Sequence, residues 1–225
     1  LRLCLEAYPV FLALKTGKPV KLIATREETF TLSGFRLPTT IYLKTGVRQD
    51  GTIVAREALS VFDMGAYLGA GVQSGVSHTL GPYNIPNYRV RSYAVYTNKI
   101  WAGSYRASGV ADVTFAVESH TDIIARQLGR DPWAFRKHNA LQEGDTAIQG
   151  GTVPRNGLHH TMDAIKAHLQ WPRQSPEGTG VGFAMCQWRS GSGPSTAAVS
   201  LQDDGTVSLL TGAVDITGTD TVFAQ

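Results

Sequence analysis

Tyr88-Arg89-Val90-Arg91-Ser92-Tyr93-Ala94-Val95-Tyr96 alternates in side-chain character, and Asp112-Val113-Thr114-Phe115-Ala116-Val117-Glu118 switches to helical spacing. Between them runs Thr97-Asn98-Lys99-Ile100-Trp101-Ala102-Gly103-Ser104-Tyr105-Arg106-Ala107-Ser108-Gly109. The period of two predicts a half-buried strand. The later spacing predicts an amphipathic helix from Val113 to Gln127, its apolar face formed by Phe115, Val117, Ile123, Ile124 and Leu128 and closed by Gly129. In the loop, Gly103, Ser104, Ala107, Ser108 and Gly109 keep side-chain bulk low, so a ligand could approach the main chain. A strand, a small-residue loop and a helix bring backbone N–H groups up to an anion or polar cofactor. Arg106 adds a permanently charged fork. A plain turn with a structural Arg fits the same spacing.

Working outward, Thr39–Gln49 and Thr52–Phe62 read as strands joined by an Asp50-Gly51 hairpin turn. Pro19–Thr25 reads as a further strand. Leu1–Leu14 is apolar on nearly all sides and predicts a buried helix, with Pro9 marking a kink or late start and Gly17 the C-terminal stop. Asp131-Pro132 predicts an N-capped helix to about Leu141, and His160 opens another to about Leu169. Beyond a Pro/Gly/Ser-containing linker at Trp171–Thr179, strands are expected at Gly180–Gln187, Thr196–Gln202 and Val207–Thr211, with a turn at Asp203-Asp204-Gly205. Hairpins and helical blocks without regular βαβ alternation argue an α+β fold of mixed sheets with packed helices. The linker divides the chain into residues 1–170 and a β-rich segment 171–225.

The 225 residues suffice for a real core, and a net charge of +3 with scattered basic residues argues against nucleic acid. Cys4 and Cys186 lack metal-ligand spacing and read as buried free thiols of a reducing, cytoplasmic compartment, with the periplasm left open. No apolar run reaches the length of a membrane span. His159-His160 reads as capping or solvated rather than metal-binding.

Thr97-Asn98 followed by Gly103-Ser104-Tyr105-Arg106-Ala107-Ser108-Gly109 resembles a loop of the xanthine dehydrogenase/aldehyde oxidase family. Further blocks are similar in family order: Lys15–Leu22, Thr25–Glu28, Thr52–Ala55, Asp63–Tyr67, Gly81–Asn87, Glu118 with His120 and Asp122–Ala125, Leu128–Pro132, and Arg136 with Asn139–Leu141 and Glu143–Asp145. The resemblance implies part of the molybdopterin-binding region of a molybdenum hydroxylase, a fragment of the family's longer large chain. It implies oxidation of an aldehyde or N-heteroaromatic substrate with water as oxygen source. It also implies a molybdenum–pterin cofactor, with iron–sulfur clusters and FAD on partner subunits or domains. The family's general-base glutamate lies beyond this sequence, so no residue here takes a catalytic role and none ligates metal.

Implied cofactor-shell residues are Ser104, Tyr105, Arg106 and Ala107, with Ile216, Thr217, Gly218 and Thr219 in a second loop that is shorter than the family's and lacks its Gln. Ser74, His78 and Ser108 are candidates for the substrate pocket. Ser74–His78 holds no Arg where a purine-hydroxylating member has one, which disfavours purines. Ala107 stands where copper-containing carbon monoxide dehydrogenases carry Cys, which disfavours a copper–molybdenum centre. A non-catalytic scaffold or interaction paralogue that has lost the cofactor is the alternative.

Overall fold

The computed structural model describes residues 5–69, 71–146, 150–169, 176–188, 194–214, 218 and 221. It divides into two units, Leu1–Gln187 and Trp188–Gln225. In the first, helices α1 (Ala7–Thr16) and α2 (Arg26–Leu32) precede strands β1 (Phe35–Arg36), β2 (Thr39–Val47) and β3 (Ile53–Asp63). Then come helix α3 (Val72–Val76), strands β4 (Asn87–Val95) and β5 (Ala102–Gly103), and helices α4 (Val110–Gln127), α5 (Pro132–Asn139) and α6 (Leu158–Leu169). The second unit contains the antiparallel pair β6 (Ala197–Leu201) and β7 (Val207–Thr211) around the expected turn at Asp203–Gly205. The mixture is α+β, as the sequence predicts.

The β2–β3 hairpin turns at Asp50-Gly51, where Gly51 takes a left-handed φ of 89° and Thr52 N–H donates to Asp50 Oδ1 at 2.9 Å. A bulge at Gly46/Val47 shifts the register. β3 is the centre of the sheet β2-β3-β4 and buries Arg56, Ala58, Ser60 and Phe62 on one face. β4 lies parallel to β3, which needs a crossover, and α3 sits within that crossover. A five-residue helix is too short to show in the sequence period. The expected half-buried strand is mostly exposed, with only Val90 and Ser92 half-buried, since the long helix α4 packs over β2 at the opposite edge of the sheet.

Helix α4 packs on this sheet through Val110, Val113, Val117, Thr121 and Ile124, spaced three and four apart. That face corrects the expected one. Phe115 is 77% exposed and Ile123 is 50% exposed, since they project from the other side of the same helix. The core joins α4 to Phe62, Leu80, Tyr83, Trp133, Phe135, Met162 and Met185. Residues 180–187 form no regular strand, contrary to expectation; Met185 instead packs into the first unit's core, with Phe183 against it. Pro19–Thr25 also forms no strand. α1 is a helix, but none of its residues is buried, which corrects the reading of residues 1–14 as a buried helix. Among the described residues, no element buries its apolar side chains. Gly17 does end it in the left-handed conformation, as predicted.

A buried polar cluster ties the elements together. Glu118 accepts from Tyr83 Oη at 2.6 Å, Arg136 Nε at 2.7 Å and Met185 N–H at 2.8 Å. Arg136 also donates to Asp122 at 2.6 Å and to the Glu118 carbonyl at 3.0 Å. Arg56 donates to Thr45 Oγ1 and the Leu80 carbonyl, and burial pushes its guanidinium down to about 10, still charged at neutral pH. Asn139 bridges α5 to the hairpin, accepting from Ile53 N–H and donating to the Gly51 carbonyl. Among the described residues, no helix is long and apolar enough to cross a membrane.

Candidate cofactor loop

The chain between β4 and α4 is wrapped by the segment following β3. Met64 N–H donates to the Val95 carbonyl, Thr97 N–H to Gly65, Ala66 N–H to Lys99, and Ala102 N–H to Met64, all at 2.9–3.0 Å. Asp63 closes the wrap by accepting from Thr97 Oγ1 at 2.6 Å, Lys99 Nζ at 2.7 Å and Gly65 N–H at 2.9 Å. The bonds from Lys99, then Thr97 and Gly65, hold its carboxyl at about 2, below the usual carboxylate range. Gly65 has a left-handed φ of 66°, and a Cβ there would lie 1.9 Å from the Ile100 carbonyl oxygen.

Trp101 lies between two glycines. A Cβ built on Gly34 or Gly103 would come within 2.5 Å or 2.4 Å of its indole. This contact locks β1 parallel to β5, with Arg36 opposite Gly103. Gly103 is therefore small because of Trp101. Gly109 is also small for a packing reason: a Cβ on it would lie 2.5 Å from the Gly71 carbonyl oxygen. These two glycines make room for protein, which narrows the ligand-approach argument to Ser104–Ser108.

Ser104, Tyr105, Arg106 and Ala107 are exposed and Ser108 is half-buried. Ala107 has φ 57°, the one positive φ of a non-glycine residue among those described. Gly109, also left-handed, then starts α4 without a side-chain cap. Among the described residues, the N–H groups of Tyr105, Arg106, Ala107 and Ser108 have no hydrogen-bond partner. Arg36 reaches the loop from β1: its Nη2 donates to the Arg106 carbonyl at 3.0 Å, and its guanidinium lies 4.9 Å from the Tyr105 ring centroid.

α3 packs against the end of this loop. A Cβ on Gly71 would meet Ser108 Cβ at 3.1 Å, and one on Gly75 would meet the Gly109 carbonyl oxygen at 3.1 Å. This places the segment holding Ser74 and His78 beside Ser108. Ser74 is half-buried. His78 is buried, with Nδ1 2.6 Å from the Ser74 carbonyl oxygen and 3.0 Å from Ser77 Oγ. In the second loop, Ile216, Thr217 and Thr219 lie outside the described residues. Gly218 is left-handed at φ 92° and its carbonyl accepts from Thr221 N–H at 3.2 Å. Cys186 is a free, exposed thiol, which corrects its expected burial; Cys4 lies outside the described residues. Among the described residues there is no cluster of three or more His, Cys, Asp or Glu side chains able to hold a metal ion.

The family described as the molybdopterin cofactor-binding domain matches residues 2–140. This chain belongs to that family. Its matched span contains the whole wrap, the Ser104–Ser108 loop and α4. The chain is 33% identical over 239 aligned positions to the xanthine dehydrogenase molybdenum-binding subunit of Escherichia coli O157:H7, covering 98% of this chain and 32% of that protein. It is 31% identical to the aldehyde oxidoreductase of Megalodesulfovibrio gigas, covering 93% of this chain and 25% of that protein. The crystal structure of the aldehyde oxidoreductase from Desulfovibrio desulfuricans superposes with a TM-score of 0.78 at 27% identity, over 92% of this chain and 24% of that one. The chain thus spans about a quarter to a third of the length of these relatives. Purine- and aldehyde-named relatives are nearly equally similar, so identity does not select a substrate.

Arg36, Asp63 and Trp101 carry the loop's geometry, and sequence reading did not single them out. Asp63 stands inside a matched block, but its role depends on Thr97 and Lys99, more than thirty residues away. For Arg36 the one local signal is an Arg between Gly34 and Pro38, which is too common to interpret.

Proposed function

We propose that this chain forms the cofactor-binding part of a molybdenum-dependent oxidoreductase acting on an aldehyde or an electron-poor carbon of an N-heteroaromatic compound. The observation that carries this reading is the run of unpartnered N–H groups from Tyr105 to Ser108, held on a wrapped and clamped backbone. Such groups suit a pterin cofactor, whose binding demands many donors and little side-chain bulk. When bound, the molybdenum–pterin group supplies a two-electron redox centre, with water as the oxygen source. Ser104, Tyr105, Arg106 and Ala107 would hold it through main-chain donors and the Arg106 guanidinium. Gly218, with Ile216, Thr217 and Thr219, would add a second contact.

Ser74, His78 and Ser108 are assigned to the substrate side. The segment Ser74–His78 carries no guanidinium to pair with an oxygenated purine, which favours an aldehyde or a less polar heterocycle. Electron exit is assigned to iron–sulfur and flavin subunits or domains. The relatives' names as molybdenum-binding subunits support the existence of partner chains. A reducing, cytoplasmic setting completes the proposal, in keeping with the free thiol of Cys186.

The test is Arg106→Lys in the full-length protein. A single ammonium cannot reproduce bidentate contacts. Molybdenum content or turnover is expected to fall while melting temperature holds. Full occupancy with unchanged turnover would remove Arg106 from the site. A full-length wild-type protein that binds no molybdenum would favour the scaffold reading.

A further inference from the structure

We propose that Arg36 is a positioning residue for the cofactor loop: it sets the direction of the Arg106–Ala107 peptide and thereby aims the Ala107 N–H away from the protein. The inference rests on the reading of Ser104–Ser108 as the cofactor loop.

A trans peptide is planar, with its C=O and N–H pointing in opposite directions. Arg36 Nη2 holds the Arg106 oxygen at 3.0 Å, so the Ala107 N–H of the same peptide must point away from Arg36. The Ala107 carbonyl is held within the loop, by Val110 N–H at 2.8 Å, whereas the orientation of the Arg106–Ala107 peptide is secured from β1. It leaves Ala107 at φ 57°, a conformation that an L-residue with a Cβ adopts only when its surroundings impose it. Without the clamp, the peptide would relax by turning over, and a donor would become an acceptor at the same place on the loop.

Three contacts converge on the one guanidinium. Besides the Arg106 carbonyl, it lies over the Tyr105 ring at 4.9 Å. Its Nη1 lies 3.7 Å from Asp112 Oδ2 in the first turn of α4. That separation is an ion pair but too long for a hydrogen bond, and neither atom has another hydrogen-bond partner. The Arg36 backbone is itself fixed by the pairing of Arg36 with Gly103, which the Trp101 ring secures. Arg36 therefore links β1, the loop and α4 through contacts that an uncharged side chain could not make together.

The experiment uses full-length protein, made with cofactor and also in a host unable to make the pterin. Arg106–Ala107 is an Arg–X bond of the type trypsin cleaves, so the rate of cleavage there reports the loop directly. In cofactor-free protein, Arg36→Gln is expected to speed this cut by about tenfold or more while cleavage elsewhere is unchanged. In cofactor-loaded protein, the same variant should bind less molybdenum, and its occupied fraction should give an altered Mo(V) electron paramagnetic resonance spectrum. Arg36→Lys should fall between, because it keeps one donor and the charge; it also serves if Arg36→Gln fails to fold. An unchanged cleavage rate at Arg106 would overturn the clamp. Faster cleavage with wild-type occupancy and spectrum would reduce Arg36 to a structural brace and overturn the positioning role. The underlying loop reading fails separately: in wild-type protein, cofactor loading would then not slow the Arg106 cut.

Discussion

α4 contributes a carboxylate to two Arg–carboxylate pairs, one midway along the helix and one at its N-terminus, and the two are built differently. Midway along the helix, Glu118 and Arg136 sit 2.7 Å apart with side chains only 6% and 1% exposed, and every contact on them closes the core. At the N-terminus, Asp112 and Arg36 sit 3.7 Å apart, 21% and 31% exposed, and the Arg spends its best hydrogen bond on a loop carbonyl. A tightly paired buried pair fixes an architecture. The slack pair at the surface leaves its Arg to hold the Arg106 carbonyl, the contact on which the proposed positioning of the loop rests. The resembling blocks of sequence contain Glu118 and Arg136 but neither Arg36 nor Asp112, so the motif marks the core pair and passes over the one at the loop.

The largest effect should come from breaking the buried pair. Arg136→Ala would strand the Glu118 carboxylate in the core and is expected to cost about 3–5 kcal/mol, read from denaturant unfolding. If the loss is under about 1 kcal/mol, the cluster is not the scaffold described.

Gly103→Ala is next. Its Cβ would sit 2.4 Å from the Trp101 ring, and overpacking of this kind costs about 1–3 kcal/mol. Because the strain falls on the β1–β5 side, cleavage at Arg106 should also accelerate, unlike in Arg136→Ala at matched stability.

Asp63 tests the wrap by pH. Its folded carboxyl is held at about 2, below its unfolded value of about 3.9, so its contribution is fully present above about pH 4 and is lost as pH falls towards 2. Asp63→Asn should therefore melt below wild type at neutral pH, and the two curves should converge between about pH 4 and 2. A constant gap across that range would show that the carboxylate charge is not what secures Thr97 and Lys99.

The smallest effect belongs to Phe115→Ala, expected within about 0.5 kcal/mol because the ring is mostly exposed. A loss of several kcal/mol would mean that the helix face has been assigned incorrectly.

Much of this molecule was legible locally. Asp131-Pro132 announces α5, and the Asp131 side chain does accept from Ala134 N–H at 2.7 Å. Asp50-Gly51 and Asp203-Asp204-Gly205 announce their hairpins, and the loop from Ser104 to Ser108 stands out by its small residues around one Arg. Each is a signal contained within a few residues, because caps and turns are satisfied by near neighbours. The helix from Val113 was legible as a helix but not in its orientation. Phe115 and Val117 are both apolar, and only the sheet beneath α4 decides which of them is buried. α1 failed for the same reason in reverse: its apolar residues announce burial, but burial requires a neighbour.

Sequence by itself determined the types of the longer elements, the hairpins, the family resemblance and the candidate loop, since these rest on periodicity, turn chemistry and contiguous motif. It missed the short helices α2 and α3 and offered strands at Pro19–Thr25 and Gly180–Gln187 that do not form. Tertiary structure alone decided that Gly34 and Gly103 flank one indole, that Asp63 holds Thr97 and Lys99, and that Arg36 grips the carbonyl of Arg106 across a separation of 70 residues. Those contacts follow from a parallel pairing of β1 with β5 and from a crossover between β3 and β4. Strand pairing at such distance leaves no local mark, because each partner's residue choice looks ordinary until the other is beside it.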